Sequence, residues 1–460
     1  MNAKILFIDQ TGQVGGAELC LADLAFRLRE CGTVLLFESG PFRDLLLRRG
    51  VQTLVLNEGY KTPQQPETSD GPGEIRKSRQ RRRFPKRIYP REVPKVNKKS
   101  GIGAYIRALP NFSRLFIGTL RIARTFDFLY ANTAKAVVVT AVVAAVLRKP
   151  FIFHLHDIID GKHFNWANRK LLVAAANLAT AVIANSEATA DAYRKAGGRN
   201  QNLKVLPNGF DVERFCGGAE VQISAVRDSV ANQDQFLVGL FGRITEWKGQ
   251  KVLIQAMSRL PAVTAVIVGD ALFTDEDQRY KRELVDLAQQ LGVADRVHFT
   301  GFQKDVVPFL QAVDLVVHCS VSPEPFGRVI VEAQLAGKPV IAARSGAPTE
   351  IIEDGVSGIL VTPGSPEELA TAICALLMDP AWAGVMASNG RESAENRYAL
   401  DKILRDWTDF IDRSINADGS RQSHGSASLN HSEASKIREQ NTTRAGLALE
   451  PRPTKAGTSV

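Results

Sequence analysis

Glu324 and Glu332 stand at the two ends of EPFGRVIVE, a segment that follows the apolar run LVVHCS (315–320) and leads into EAQLAGKPV. A chain that leaves a strand through Pro and Gly and then enters a helix exposes free backbone N–H groups at the helix start. Such an end attracts anions, phosphates above all. One carboxylate ahead of the helix and another roughly two turns into it cannot both hold the same phosphate. They suit hydroxyl groups on either side of it, such as those of two sugar rings. Taken alone, two glutamates at this spacing are more simply an acidic helix start supporting the macrodipole.

A second cluster lies upstream. FGRITEWKGQKVLI puts Arg243 and Lys248 directly after an apolar strand, at the edge of a parallel sheet where open α/β folds bind ligands. Arg can clamp a diphosphate with two parallel bonds, and Lys adds a mobile point charge. Gly15 and Gly16, in TGQVGGAE, occupy the first strand–helix turn, where paired glycines permit positive φ and close approach of the backbone to a ligand. Their spacing is not the G-x-G-x-x-G dinucleotide fingerprint. Glu18 reads as first-turn helix charge. His156, in FHLHDIID, ends a strand at the same edge, where a neutral imidazole can bond a hydroxyl. His154 is expected on the opposite face as a packing residue. Asp157 suits orienting or acceptor binding. Asn132 (YANTAKA), Ser186 (ANSEAT) and Asn208 (LPNGFD) end strands or open turns, where small polar residues cap helices; Ser186 and Asn208 read as structural or hinge elements.

The string SPEPFGRVIVEAQLAGKPVIAARSGAPTEIIEDGVSGILV (322–361), with its E-x7-E spacing, resembles the donor-site segment of the family 4 retaining glycosyltransferases. GRITEWKG matches their G-R-x4-K-G element, and the likeness covers roughly residues 1–58 and 101–412. The resemblance implies an α/β, GT-B architecture: two Rossmann-like parallel-sheet domains facing a central cleft. It implies that Arg243 and Lys248, with Gly16 and the turn Phe326, Gly327 and Arg328, hold a nucleotide diphosphate. Glu332 would take the ribose, and Glu324 and Gly15 the donor sugar. Glu324 and His156 would lie nearest the reacting carbon, and Asp157 and Asn132 on the acceptor side. Glu350 either touches the sugar or caps a helix, and Arg328 either meets the phosphates or is a plain surface residue. Ser345-Gly346-Ala347 stands where the family has Gly-Gly, a departure that bears on which sugar is accepted. Glu324 is expected to position the sugar while the leaving phosphate takes the acceptor's proton.

No D-x-D follows an apolar strand, and no His/Asp cluster has metal spacing. No cofactor and no essential metal are therefore expected. The implied partners are a nucleotide sugar, UDP-linked first and GDP-linked second, and a glycan or lipid-linked acceptor in polysaccharide or glycolipid assembly. Rival readings are a nucleic-acid-binding or regulatory protein on an inactive scaffold, and a nucleotide-sugar epimerase or phosphorylase.

The elements that must position these residues alternate strand and helix in two halves, which implies parallel sheets. The expected division is an acceptor-binding domain at 1–200 and a nucleotide-sugar-binding domain at 201–390, then a helix crossing back at 391–413. The 460 residues suffice for two or three domains. Five scattered cysteines without a C-x-x-C pair argue for a reducing compartment. The N-terminus reads directly as a strand, and the longest apolar stretch, Ala136 to Leu147, falls short of the ~20 residues of a spanning helix. A cytoplasmic protein is expected, or one peripheral on the cytosolic face of a membrane.

Net charge is +9, and residues 60–100 alone carry thirteen Lys or Arg against four Asp or Glu, 13 − 4 = +9. The basic character thus belongs to one insert. Its core RKSRQRRRFPKR (76–87) suits an anionic membrane surface, which residues 76–99 are expected to contact; nucleic acid is not favoured. Residues 414–460, poor in aromatics and rich in Ser, Asn and Gly, read as a disordered tail.

Overall fold

Two parallel sheets account for the apolar runs. The computed structural model describes residues 3–56, 102–161, 164–217, 220–230, 235–272 and 274–416. The basic insert at 60–100 and the tail from 417 lie outside the described residues. Residues 2–407 form one compact unit; the second begins at 408, and of it only 408–416 is described, as helix.

The first half runs β1 (Ile5–Asp9), α1 (Gly16–Arg27), β2 (Gly32–Leu36), α2 (Pro41–Arg48), β3 (Thr53–Val55), α3 (Ile102–Ala123), β4 (Phe128–Ala131), α4 (Ala134–Leu147), β5 (Phe151–Leu155), α5 (Trp166–Asn177), β6 (Ala181–Ala184), α6 (Glu187–Lys195) and β7 (Leu203–Val205). Its strand order is β3-β2-β1-β4-β5-β6-β7. The second half runs α7 (Glu220–Val230), β8 (Phe236–Phe241), α8 (Gln250–Met257), β9 (Val263–Val268), α9 (Asp275–Gln290), β10 (Val297–Gly301), α10 (Val307–Ala312), β11 (Leu315–His318), α11 (Arg328–Leu335), β12 (Val340–Ala343), α12 (Pro348–Ile351), β13 (Ile359–Val361), α13 (Pro366–Met378) and α14 (Pro380–Tyr398). Its order is β10-β9-β8-β11-β12-β13. This is the two-domain α/β arrangement that the resemblance implied. Because β7 belongs to the first sheet, that domain extends past residue 200, to the linker after Val205.

Strands such as β1 (ILFID) are buried at every position, as expected where helices cover both sheet faces. Each sheet is laid down outward from a central strand and then restarts beside it, at β1/β4 and at β8/β11. Loops leaving neighbouring strands in opposite directions open a crevice at the carboxyl edge. Topology alone therefore brings Gly15–Gly16, Asn132, Arg243 and Glu324 to the two switch points. Among the described residues no single helix is long and apolar enough to cross a membrane.

Tyr130 shows how the first core is specified. Its ring is fully buried and meets Phe7 edge-to-face at 5.2 Å. Its hydroxyl lies 2.6 Å from His154 Nδ1 and receives Trp407 Nε1 at 3.3 Å. Leaving that hydroxyl unpaired would cost ~1–3 kcal/mol. The Trp407 bond also carries the chain end of the large unit back onto the first domain.

Candidate active site

The two motifs of the second half meet at one carboxylate. A short 3-10 turn, Glu246–Lys248, follows β8 and ends at Gly249, whose φ is +70°. A Cβ on Gly249 would lie 1.9 Å from the Cys319 carbonyl oxygen, so only glycine lets this turn seat against the exit of β11. Val321 N donates to Trp247 O at 2.8 Å and fastens the same contact. Lys248 Nζ then reaches Glu324 Oε2 at 2.7 Å, passing over the Trp247 ring at 4.1 Å. Ser320 Oγ and His318 Nε2 donate to the same oxygen at 2.8 and 3.0 Å.

Glu324 is 6% exposed. Burial alone would raise its pKa, but the Lys248 charge and the His318 bond override it and hold the carboxyl well below the usual range. It is a fixed anion. Its backbone is gripped by the loop after β12: Glu324 N donates to Ser345 O at 3.1 Å and Ala347 N to Glu324 O at 3.0 Å. Between them Gly346 has φ +78°, and a Cβ there would sit 2.4 Å from Glu324 O. Ser345-Gly346-Ala347 thus retains the one glycine this geometry requires.

Gly327 is the N-cap of α11 and supplies no side-chain cap. The Phe326 ring is not a ligand contact: it is 4% exposed, stacked on Phe210 at 6.2 Å and edge-on to Tyr398 at 5.8 Å. Arg328 is neither surface residue nor free cation. Its guanidinium covers Phe210 at 4.4 Å, lies 3.6 Å from Asp23 of α1, and sits 3.4 Å from Glu332 one helical turn on. Arg328 therefore ties the second half to the first, and Glu332 is oriented by it. Arg243 leaves the end of β8 with an exposed side chain, its carbonyl held by Gln250 Nε2 at 2.7 Å.

The opposing wall corrects several expectations. Gly15 has φ −136°, ψ −169°, an extended backbone, so the turn does not use positive φ. What matters is the missing Cβ, which at Gly15 would lie 2.7 Å from Glu18 Oε2 and at Gly16 3.6 Å from Arg328 Cδ. Glu18 is not an exposed dipole charge. It is 8% exposed, and burial, then Asp9 and Asp157, push its carboxyl up to about 8. Burial likewise lifts Asp9 to about 6 against hydrogen bonds from Thr11 and Asn132.

Asn132, expected on the acceptor side, is buried and committed: Nδ2 donates to Asp9 Oδ2 at 2.7 Å, and Oδ1 lies 2.9 Å from His156 Nε2. His156 is 8% exposed, with Nε2 against Asn132 and Nδ1 without a hydrogen-bond partner. His154 does not face away from it. Residues two apart in an extended chain share a face, and the two rings lie 3.9 Å apart. Asp157 is exposed.

Glu350 joins the halves. Its two carboxylate oxygens accept Glu187 N and Ala188 N at 2.8 Å each, at the start of α6. Of the two readings, the structure realises the cap, and the carboxylate is not free for a sugar. Ser186 caps the same helix through Thr189 N at 3.0 Å and donates Oγ to Pro325 O at 2.6 Å. The residues overlooked in the sequence are His318, Ser320 and Asp9. His318 and Ser320 leave an apolar strand six and four residues ahead of Glu324, a spacing that could have marked them.

Residues 222–393 match the family model described as glycosyl transferases group 1, and residues 14–214 match that described as glycosyltransferase family 4. The chain is 32% identical over 222 residues to the lipopolysaccharide core biosynthesis glycosyltransferase LpsE of Rhizobium meliloti (strain 1021), covering 48% of this chain and 61% of that one. It is 30% identical over 234 residues to a GDP-mannose-dependent alpha-(1-6)-phosphatidylinositol monomannoside mannosyltransferase of Mycobacterium tuberculosis, with coverages of 49% and 60%. The matches span about half to three-fifths of these curated relatives. The crystal structure of Anabaena HepE in complex with UDP-glucose superposes with a TM-score of 0.75 and 37% identity, over 89% of this chain and 100% of that one.

Proposed function

Since the chain belongs to the family 4 glycosyltransferases, with the GT-B fold, we propose that it transfers a sugar, with retention of configuration, from a nucleotide sugar to a glycan or lipid-linked acceptor. The observation that carries this reading is the convergence of Lys248 and Glu324 at the switch point beside the start of α11.

UDP-linked sugar is the favoured donor. The likeness to HepE, solved with UDP-glucose, spans that whole chain; the GDP-mannose-dependent relative keeps GDP second. Arg243, Lys248 and the N–H groups opening α11 would take the diphosphate, since cations and a helix start both stabilise phosphate. Glu332, oriented by Arg328, would take the ribose. Glu324, a permanent anion, would accept hydrogen bonds from hydroxyls of the sugar and hold it in place. It has no proton to give, so acid catalysis is excluded for it. The acceptor oxygen bonds to the anomeric carbon as the bond to the phosphate oxygen breaks on the same face. The acceptor's proton passes to that departing oxygen. Asp157 would face the acceptor, while Asn132 and His156 stiffen the wall behind it. With these cations at the leaving group, no divalent ion is required there. We place the enzyme in the cytoplasm, peripheral on the cytosolic membrane face, where each cation of 76–99 would add ~1 kcal/mol on an anionic bilayer.

A thermal-shift screen with UDP, GDP, ADP and their sugars, followed by NMR of the product anomer, tests the reading. Stabilisation by UDP and its sugars and an unchanged anomeric configuration are expected. No shift with any nucleotide would end the proposal. Deleting 61–99 should lower liposome flotation and spare nucleotide binding.

A further inference from the structure

Three successive helices of the first half carry no acid. Among residues 102–178 the only carboxylates are Asp127, Asp157 and Asp160, all in loops at strand ends and none on α3, α4 or α5. Elsewhere a surface helix mixes both signs: α9 holds Asp275, Glu276, Asp277, Glu283 and Asp286 beside its cations. α4 packs between α3 and α5, so the three form one layer. Its inner side is filled, with Val137, Val143, Leu172 and Val173 buried in the core of the first sheet.

The outer side combines two kinds of residue. Arg114, Ile117 and Arg121 of α3, with Arg124 just past its end, are exposed at spacings of three and four, which is one helical stripe. On α4 and α5 the exposed positions are mostly apolar: Val142 and Val146, then Trp166, Leu171 and Leu178, with Lys170 among them. Trp166 and Leu178, at the two ends of α5, are each 69% exposed. Apolar residues scattered singly over a surface are ordinary; a run of them across adjoining helices, beside cations that no acid on those helices opposes, marks a contact surface. The cations alone would suit any polyanion. Trp and aliphatic side chains gain nothing from a phosphodiester backbone, but they bury well at the boundary between lipid headgroups and acyl chains.

We propose that the outer face of α3, α4 and α5 docks on an anionic lipid bilayer, with Trp166, Leu171 and Leu178 at the headgroup boundary and Arg114, Arg121 and Arg124 on lipid phosphates. The choice of partner rests on the membrane placement proposed above, whereas the contact surface is separate from the insert at 76–99. The chain enters α5 at Trp166 after leaving the carboxyl end of β5, the sheet edge on which the crevice opens. Docking there brings a lipid-linked acceptor to the mouth of the crevice.

The full chain is floated with vesicles of phosphatidylcholine alone and with added phosphatidylglycerol, the latter also made with brominated acyl chains that quench tryptophan. Binding to the anionic vesicles and quenching are expected. Trp166→Phe should remove the quenching, and Trp382→Phe, in the other half, should leave it. Arg114→Gln combined with Arg121→Gln should lower the partition coefficient at least ~10-fold, and Leu171→Ser combined with Leu178→Ser by a similar factor. Circular dichroism checks each variant's fold. Thermal shift with UDP on the same samples keeps the two readings apart: stabilisation should persist in every variant, and its absence from the parent would strike the transferase reading while the vesicle result stands. No binding by the parent, flotation without quenching, quenching that survives Trp166→Phe, or full partitioning of both double variants overturns the proposal. So does capture by RNA as strong as capture by the vesicles.

Discussion

The Lys248 ammonium and the Glu324 carboxylate lie 2.7 Å apart across 76 positions of sequence, joining the turn after β8 to the exit of β11. With Ser320 and His318 they place three donors on a single oxygen. Glu324→Gln keeps the shape and removes the charge. We expect kcat for sugar transfer to fall on the order of 10²-fold, with UDP still stabilising the protein in thermal shift. Unaltered turnover would show that Glu324 does not position the sugar.

Glu18 makes the molecule sensitive to alkali. Its carboxyl rises from the ordinary 4.5 to about 8, through burial first and Asp9 next. A raised pKa means that the folded state holds the proton more tightly. The contribution is thus fully present below pH ~4.5 and is lost as pH climbs through about 8. Glu18→Gln should flatten this loss: melting curves of variant and parent should coincide near pH 4.5 and separate by pH 9 in the variant's favour. Parallel pH profiles would contradict the buried placement.

Glu350 clasps α6 from the other half through two 2.8 Å bonds. Removing this charged cap should cost ~1–2 kcal/mol. For Glu350→Gln we expect a donor KM raised roughly tenfold and a larger radius of gyration in small-angle scattering. If neither changes, the clasp does not govern closure.

Gly249 and Gly355 separate two reasons for needing glycine. Both have left-handed φ, +70° and +77°, but a Cβ meets Cys319 O at 1.9 Å in the first and nothing within 4 Å in the second. Gly355→Ala should cost ~1–2 kcal/mol of backbone strain. Gly249→Ala should cost clearly more in denaturant titration and also displace Lys248, lowering transfer. Equal losses would mean that the turn shifts freely.

Local pattern carried much of this site. The apolar runs gave the strands and their parallel class, and the EPFG turn with its flanking acids identified the helix start and the chemistry around it. What failed did so where burial or a distant partner decides. Asn132 and Glu350 look like ordinary loop polars, yet each is claimed by a partner more than 120 positions away, Asp9 and the start of α6. Glu18 looks like helix charge until the wall buries it beside Asp9 and Asp157. The two histidines are a different matter: their two-residue spacing already put them on one face, and the opposite assignment ignored the strand period.

The sequence by itself determined which segments become strands, which glycines and acids flank the helix start, and the family to which they belong, because those depend on neighbours within a few residues. Only the tertiary structure decided which polar side chains are paired with which. Arg328, Glu350 and Asn132 are committed to partners, while Lys248 and Glu324 sit together at the switch point. Charge state and availability follow from burial and from contacts between distant segments, and those exist only once the chain has closed on itself.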